Sequence, residues 1–218
     1  MIMNSLKKWR EPMNALTHLI ALIGIIPFMV YLVYKSYFVG GIYYVISFLI
    51  FALSIIGLYT ASTIYHMLNV KESTICTLKK IDHMMIFILI AGTYTPVCLI
   101  VLKGALGYSI LVVIWIIAIF GIMLKFFWIK APRILSTIIY VLMGWAAILA
   151  FYPIKKSLEF QGILLLLLGG IIYTIGSIIY ATKYPNFNFK FFGFHEIFHL
   201  FVIGGSICHI IFMFKYVL

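Results

Sequence analysis

The chain is short of charge, and above all of acid. Of its 218 residues only five are Asp or Glu, and charged residues of either sign make up 10%. A soluble domain carries roughly a quarter charged residues. With 65% of residues hydrophobic and a mean hydropathy of +1.18, too little polar surface remains to clothe a water-soluble globule. Most of the surface must therefore face lipid. Cysteine is scarce as well: Cys76, Cys98 and Cys208 form no CxxC pair and are odd in number. They read as unpaired apolar fillers, not as a disulfide framework. Alternation of apolar and polar residues is missing, which excludes strand-type membrane spans. No basic stripe of several residues exists, so nucleic acid is not an expected partner. The net charge of +11 instead anchors helix ends and meets anionic lipid headgroups. The first apolar run, Ala15 to Tyr34, is too long for a signal-peptide core and lacks a small-residue cleavage site.

What the sequence has in abundance is long apolar runs. They fall near 14–34, 42–68, 82–102, 106–127, 134–152, 162–182 and 195–214. A helix of about 20 residues crosses the hydrocarbon core, and it satisfies its own backbone groups, as lipid demands. The expected fold is an all-α integral membrane protein: one domain over 1–218, a seven-transmembrane helix bundle behind a short cytoplasmic segment, 1–13. Turn and charge signals mark the breaks at Lys35-Ser36, Asn69 to Ser73, Lys103-Gly104, Lys130 to Arg133, Pro153 to Lys156 and Lys183 to Asn186. Pro27 and Pro96 lie inside spans and are expected to kink them.

Lys and Arg set the orientation. With the N-terminus inside, the cytoplasmic segments hold Lys7, Lys8, Arg10, Lys71, Lys79, Lys80, Lys125, Lys130, Arg133, Lys183 and Lys190. The outer segments hold Lys35, Lys103, Lys155, Lys156 and Lys215. This bias predicts a cytoplasmic N-terminus and an outside C-terminus; the expected location is the cell (plasma) membrane, crossed several times. The topology is the reverse of that of G-protein-coupled receptors.

Ionisable groups inside membrane helices are costly and point to function. His66 ends the second predicted span, Asp82 and His83 begin the third, and His195 and His199 begin the seventh. All fall in the inner layer, with His18 a few residues into the first span. His195 and His199, at i and i+4, share a helix face and can grip one metal ion. His66 can supply a third ligand, and three protein ligands plus water is the open pattern of catalytic zinc. Asp82 is then free to orient or deprotonate that water, or to bind the metal itself. Ser62, one turn before His66, can hydrogen-bond a ligand, the water or a developing oxyanion. Glu11, Asn14 and His18 share a stripe of the first helix and can line the same cavity. Thr17 lies beside them. His195-Glu196-Ile197-Phe198-His199 also fits the HExxH pattern of zinc metallopeptidases, where the glutamate is the general base. His83 reads as structural, and His209, towards the outer side, receives no role.

These elements together resemble the hemolysin III family, which belongs with the progestin and adipoQ receptors. The resemblance covers nearly the whole chain. It rests on Glu11 to His18, Ser62-Thr63-Ile64-Tyr65-His66, Asp82-His83, Ala91 to Pro96 and His195 to His199. It implies a seven-helix bundle, N-terminus inside, with zinc held by His66, His195 and His199, and with Asp82 and Ser62 in the family's aspartate and serine positions. Alkaline ceramidases of the wider superfamily hydrolyse a lipid amide at such a site.

Three functions follow as expectations. The first is a zinc-dependent hydrolase of a lipid amide or ester, with membrane lipids as its partners, Asp82 as general base and Ser62 assisting. The second is a non-enzymatic cytolysin or membrane-state sensor with structural zinc, although this composition excludes a soluble pore-forming form. The third is an intramembrane metalloprotease.

Overall fold

A computed structural model of the chain describes residues 8–187 and 192–218. Of the basic residues weighed for orientation, Lys7 and Lys190 lie outside the described residues. Apolar residues do not gather on one stripe, as they do in a soluble amphipathic helix. Large apolar side chains are exposed along the long helices, among them Ile20, Val30, Ile116, Leu142, Leu168 and Leu200. Such a surface is stable only in lipid.

The first helix, α1, spans Pro12–Met67, 56 residues. Straight, it would be about 84 Å long, nearly three times the thickness of a bilayer's hydrocarbon core. It is not straight, because Gly40 (φ −140°, ψ 17°) and Gly41 (φ 62°, ψ −152°) leave helical geometry. The conformation of Gly41 is essentially closed to residues with a Cβ. The chain folds back there, and the two limbs meet again at their far ends. The N–H groups of Arg10 and Glu11 donate to the carbonyls of Met67 and His66 at 3.3 and 3.0 Å.

The remaining elements follow in order. Helix α2, Glu72–Pro96, runs into a π-type stretch, Val97–Leu102. Pro96 has no N–H to give the preceding turn, and the wider winding begins just after it. Lys103 and Gly104, both at positive φ, turn the chain into α3, Gly104–Phe127. Helix α4, Arg133–Trp145, continues through the 3-10 segment Ala146–Ala150 into the short α5, Phe151–Ser157. Helix α6 is Phe160–Thr182, and α7, Phe194–Phe212, ends in a second π-type stretch, Met213–Val217.

Six of these stretches are long and apolar enough to cross a membrane: Pro12–Met67, Glu72–Leu102, Gly104–Phe127, Arg133–Ser157, Phe160–Thr182 and Phe194–Val217. The protein is thus an all-helical, multi-pass membrane protein. The first two predicted runs merge into the one broken helix α1. The expected break at Lys35-Ser36 is absent, because Ser36 satisfies its hydroxyl within the helix, donating to the Val33 carbonyl at 2.7 Å. Pro153 likewise breaks nothing. It lies in the first turn of α5, where its missing N–H leaves no helical bond unmade. Asp82 and His83 do not begin a helix; α2 starts at Glu72, three turns earlier.

Between lipid-exposed helices, burial supplies little drive, so close approach and shape matter most. The main core packs both limbs of α1 against α2 and α7, with Met29, Phe51, Ile55, Tyr59 and Phe212 almost inaccessible. Gly92 permits one such approach: a Cβ there would lie 2.2 Å from the Ser54 hydroxyl. Ser47 and Ser54 donate to carbonyls of their own helix at 2.9 and 2.7 Å, so these hydroxyls add no unmet polarity to the core.

Candidate metal centre

The folded-back α1 and the start of α7 together build a histidine cluster. His66 sits in the last turn of α1, and the backbone zipper to Arg10 and Glu11 fixes that end. The start of α7 is pinned twice. The Glu196 carboxylate accepts the Gly193 N–H at 2.8 Å, and Asn186 Oδ1 accepts the Phe194 N–H at 3.1 Å. His195 and His199 then occupy its first two turns. Ligand atoms of His66, His195 and His199 all lie within 4.8 Å of one another. The ring centroids form a near-regular triangle with sides of 5.1, 5.1 and 4.7 Å. His66 and His199 are buried, and His195 partly so.

An imidazole ligates through an unprotonated nitrogen, and the bond made by its other nitrogen decides which one that is. His66 Nδ1 lies 2.5 Å from Glu11 Oε2. The same carboxylate accepts Asn14 Nδ2 at 3.2 Å and pairs with Arg10 at 3.3 Å. Burial pushes the Glu11 carboxyl up. The hydrogen bond from His66, with the charge of Arg10 and the Asn14 amide behind it, outweighs burial and holds it below the usual carboxylate range. An ionised carboxylate only accepts, so His66 carries its proton on Nδ1. Its Nε2 is buried with no partner among the described residues.

His199 is oriented in the same way. The Thr17 hydroxyl donates to the Asn14 carbonyl at 2.9 Å, so its oxygen accepts His199 Nδ1–H at 3.2 Å. That leaves Nε2 of His199 as the free ring nitrogen. His195 Nε2 is also buried and has no partner among the described residues. Orphaned buried ring nitrogens are costly and call for an explanation. A cation shared by three neutral imidazoles supplies one, and this donor set suits zinc and other first-row divalent ions. The three histidines can hold a metal ion.

Beside His195 and His199 lies a cavity of about 30 Å³, room for roughly one water molecule. His18, Ser62, Asp82 and Tyr180 line it together with His195 and His199. Neither Asp82 nor Ser62 makes a side-chain hydrogen bond or ion pair with any described residue. His18 stands outside the ligand triangle. It stacks on His199 at 3.6 Å and 10° and meets the Tyr59 ring edge-on at 5.0 Å. Both its ring nitrogens are buried and unpartnered among the described residues.

Of the stripe Glu11, Asn14 and His18, only His18 lines the cavity; Glu11 and Asn14 stand behind His66. Glu196 is engaged by Gly193, as above. His83 is fully occupied, with Nδ1 on the Lys79 carbonyl at 2.7 Å and Nε2 accepting from the Tyr180 hydroxyl at 3.1 Å. Two residues that the sequence did not single out matter here. Thr17 orients His199, and its place three residues after Asn14 was a usable signal. Tyr180 walls the cavity from α6, and nothing distinguishes it in sequence from the other fourteen tyrosines.

Two larger cavities continue from this one. A mostly apolar cavity of about 120 Å³ shares Leu58, Ile86, Tyr180, Phe198 and Val202 with it. A third, of about 90 Å³, shares Thr93, Tyr94, Gly144, Trp145 and Gly170 with the second and reaches His209.

A multi-pass helical membrane protein with a buried histidine triangle at one end of an apolar cavity series is the class these features define. The chain belongs to the haemolysin-III related family, which residues 6–210 match. It is 43% identical over 196 residues to the hemolysin-3 homolog of Bacillus subtilis (strain 168), covering 90% of this chain and 89% of that one. It is 40% identical over 197 residues to hemolysin-3 of Bacillus cereus, covering 90% and 86%. A more distant relative is the monocyte to macrophage differentiation factor of Homo sapiens, 25% identical over 171 residues, covering 77% and 68%.

Proposed function

We propose that this protein is a zinc-dependent hydrolase of a membrane-lipid amide or ester, set in the plasma membrane with the histidine triangle on the cytoplasmic side. The reading rests on one observation above all. His66, His195 and His199 stand close enough to share one ion, and His195 and His199 line, with a carboxylate and a hydroxyl uncommitted among the described residues, a water-sized space that adjoins an apolar cavity series. Counting the two limbs of α1 as separate crossings gives seven spans, with the N-terminus inside and the C-terminus outside. The excess of Lys and Arg near the triangle's side of the bundle supports that orientation.

His66, His195 and His199 would hold the ion, with Nε2 of His66 and of His199 left for it because their Nδ1 protons are committed to Glu11 and Thr17. When bound, the metal supplies a Lewis acid that acidifies water and polarises a carbonyl. The Asp82 carboxylate accepts the proton of the attacking water and later delivers it to the leaving amine or alkoxide. The Ser62 hydroxyl donates to the oxygen that gains charge at the carbonyl. Tyr180 and Phe198 shield the space from bulk water, and the apolar cavities take the acyl chain. Water is consumed, and a fatty acid and an amine or alcohol are released.

The second reading is a lytic or membrane-sensing protein whose metal is structural; the hemolysin names of the Bacillus relatives support its lytic form. The peptidase reading has weaker support, because the Glu196 carboxylate caps α7. The test incubates purified protein in detergent with a long-chain ceramide and with transmembrane peptides. The hydrolase reading predicts fatty-acid release that disappears in His195→Ala. Peptide cleavage would favour the protease, and retained metal with no turnover would favour the second reading.

A further inference from the structure

The cavity series ends on a polar group that the proposed chemistry leaves unused. His209 lies on α7 ten residues beyond His199, about 15 Å along the helix axis. Its side chain is buried, and neither ring nitrogen bonds to any described residue. The ring is held in place from two sides. It stacks on Tyr173 at 5.4 Å and 18°. Tyr173 in turn meets the Ser206 hydroxyl at 2.9 Å, which accepts from Tyr59 at 2.8 Å. Gly169 makes the space, since a Cβ there would lie 2.8 Å from His209 Nε2.

The other polar groups of this cavity wall are committed. The Thr93 hydroxyl donates to the Leu89 carbonyl, and the Trp145 indole donates to Thr174. The Tyr94 hydroxyl donates to the Gly144 carbonyl and accepts the Ala147 N–H. His209 is therefore the uncommitted hydrogen-bonding side chain in an otherwise apolar pocket, and a buried imidazole left in that state is costly.

We infer that His209 is a specificity contact: the lipid taken by this cavity carries a hydroxyl partway down its acyl chain, and His209 binds it. The inference rests on the acyl-chain reading of the cavities above. A hydroxyl both donates and accepts, so it pairs with either tautomer of a neutral imidazole. An extended chain advances about 1.2 Å per bond, so a span of about 15 Å between His199 and His209 places the hydroxyl roughly a dozen bonds from the carbonyl at the metal centre. A plain chain fills the same volume but leaves the imidazole unpaired.

The test compares two probes on the purified full chain: stearic acid, and stearic acid hydroxylated on its twelfth carbon. Binding is measured by calorimetry, with metal content determined on the same samples. The hydroxylated acid is expected to bind about tenfold tighter. His209→Phe, which keeps a ring against Tyr173, is expected to abolish that preference while stearic acid still binds. His209→Gln, which keeps a hydrogen-bonding group, is expected to retain part of it. Equal affinities in the unaltered protein, a preference that survives His209→Phe, or binding of neither acid would overturn the inference. Failure of the metal reading shows separately, as protein without metal.

Discussion

His66 and Glu11, 55 residues apart in sequence, meet at 2.5 Å between Nδ1 and Oε2. That contact joins the two ends of α1 and sets which nitrogen of His66 faces the cluster. Outer partners of this kind commonly set metal affinity within a factor of 10 to 100. Glu11→Gln is therefore expected to weaken metal binding by about 10- to 100-fold. Competition against a chelator of known affinity checks it. Unchanged affinity would mean that the carboxylate does not orient His66.

Thr17 performs the same service for His199 with a neutral oxygen, so its loss is expected to be milder. Thr17→Val keeps the shape and removes the acceptor. A buried N–H left unpaired costs about 1–3 kcal/mol. Part of that is expected as lower thermal stability in detergent and part as weaker metal binding. Thr17→Ser, which keeps the acceptor, is expected to restore most of both.

Gly41 closes the turn between the two limbs in a region that only glycine occupies freely. Gly41→Ala is expected to destabilise the fold by about 1–3 kcal/mol. Gly24→Ala is the control, because a Cβ there meets nothing within 4 Å. Thermal unfolding of both variants in the same detergent separates backbone strain from added bulk.

Gly170 lies on the wall shared by the two larger cavities, with the nearest atom to a Cβ there 3.8 Å away on Trp145. Gly170→Leu would fill the passage without touching the triangle. Turnover of a long-chain amide is expected to fall by about a hundredfold while that of a short-chain amide persists. Metal content should not change. Equal loss on both substrates would place the acyl chain elsewhere.

The histidine triangle was legible in the sequence because i and i+4 on one helix is a local rule, and because His66 ends an apolar run. The helical membrane class followed from composition. The turn of α1 was misplaced because Lys35 and Ser36 read as a break. A serine that bonds back to its own helix is tolerated in mid-helix, whereas Gly41 adopts a backbone that propensity alone does not flag. Tyr180 acts through contacts between distant segments, which no periodicity reports, and for Thr17 its place three residues after Asn14 was the one local signal. In sequence His209 is a lone histidine near an interface, which is usually just polar. Its significance comes from what does not touch it, which only the packed bundle reveals.

Metal analysis of protein purified without chelator, by inductively coupled plasma mass spectrometry, tests the central claim most directly. The account predicts about one zinc per chain, lost in His66→Ala and in His195→Ala while circular dichroism still reports a folded helical protein. Metal-free protein, or full zinc content in His66→Ala, would contradict it.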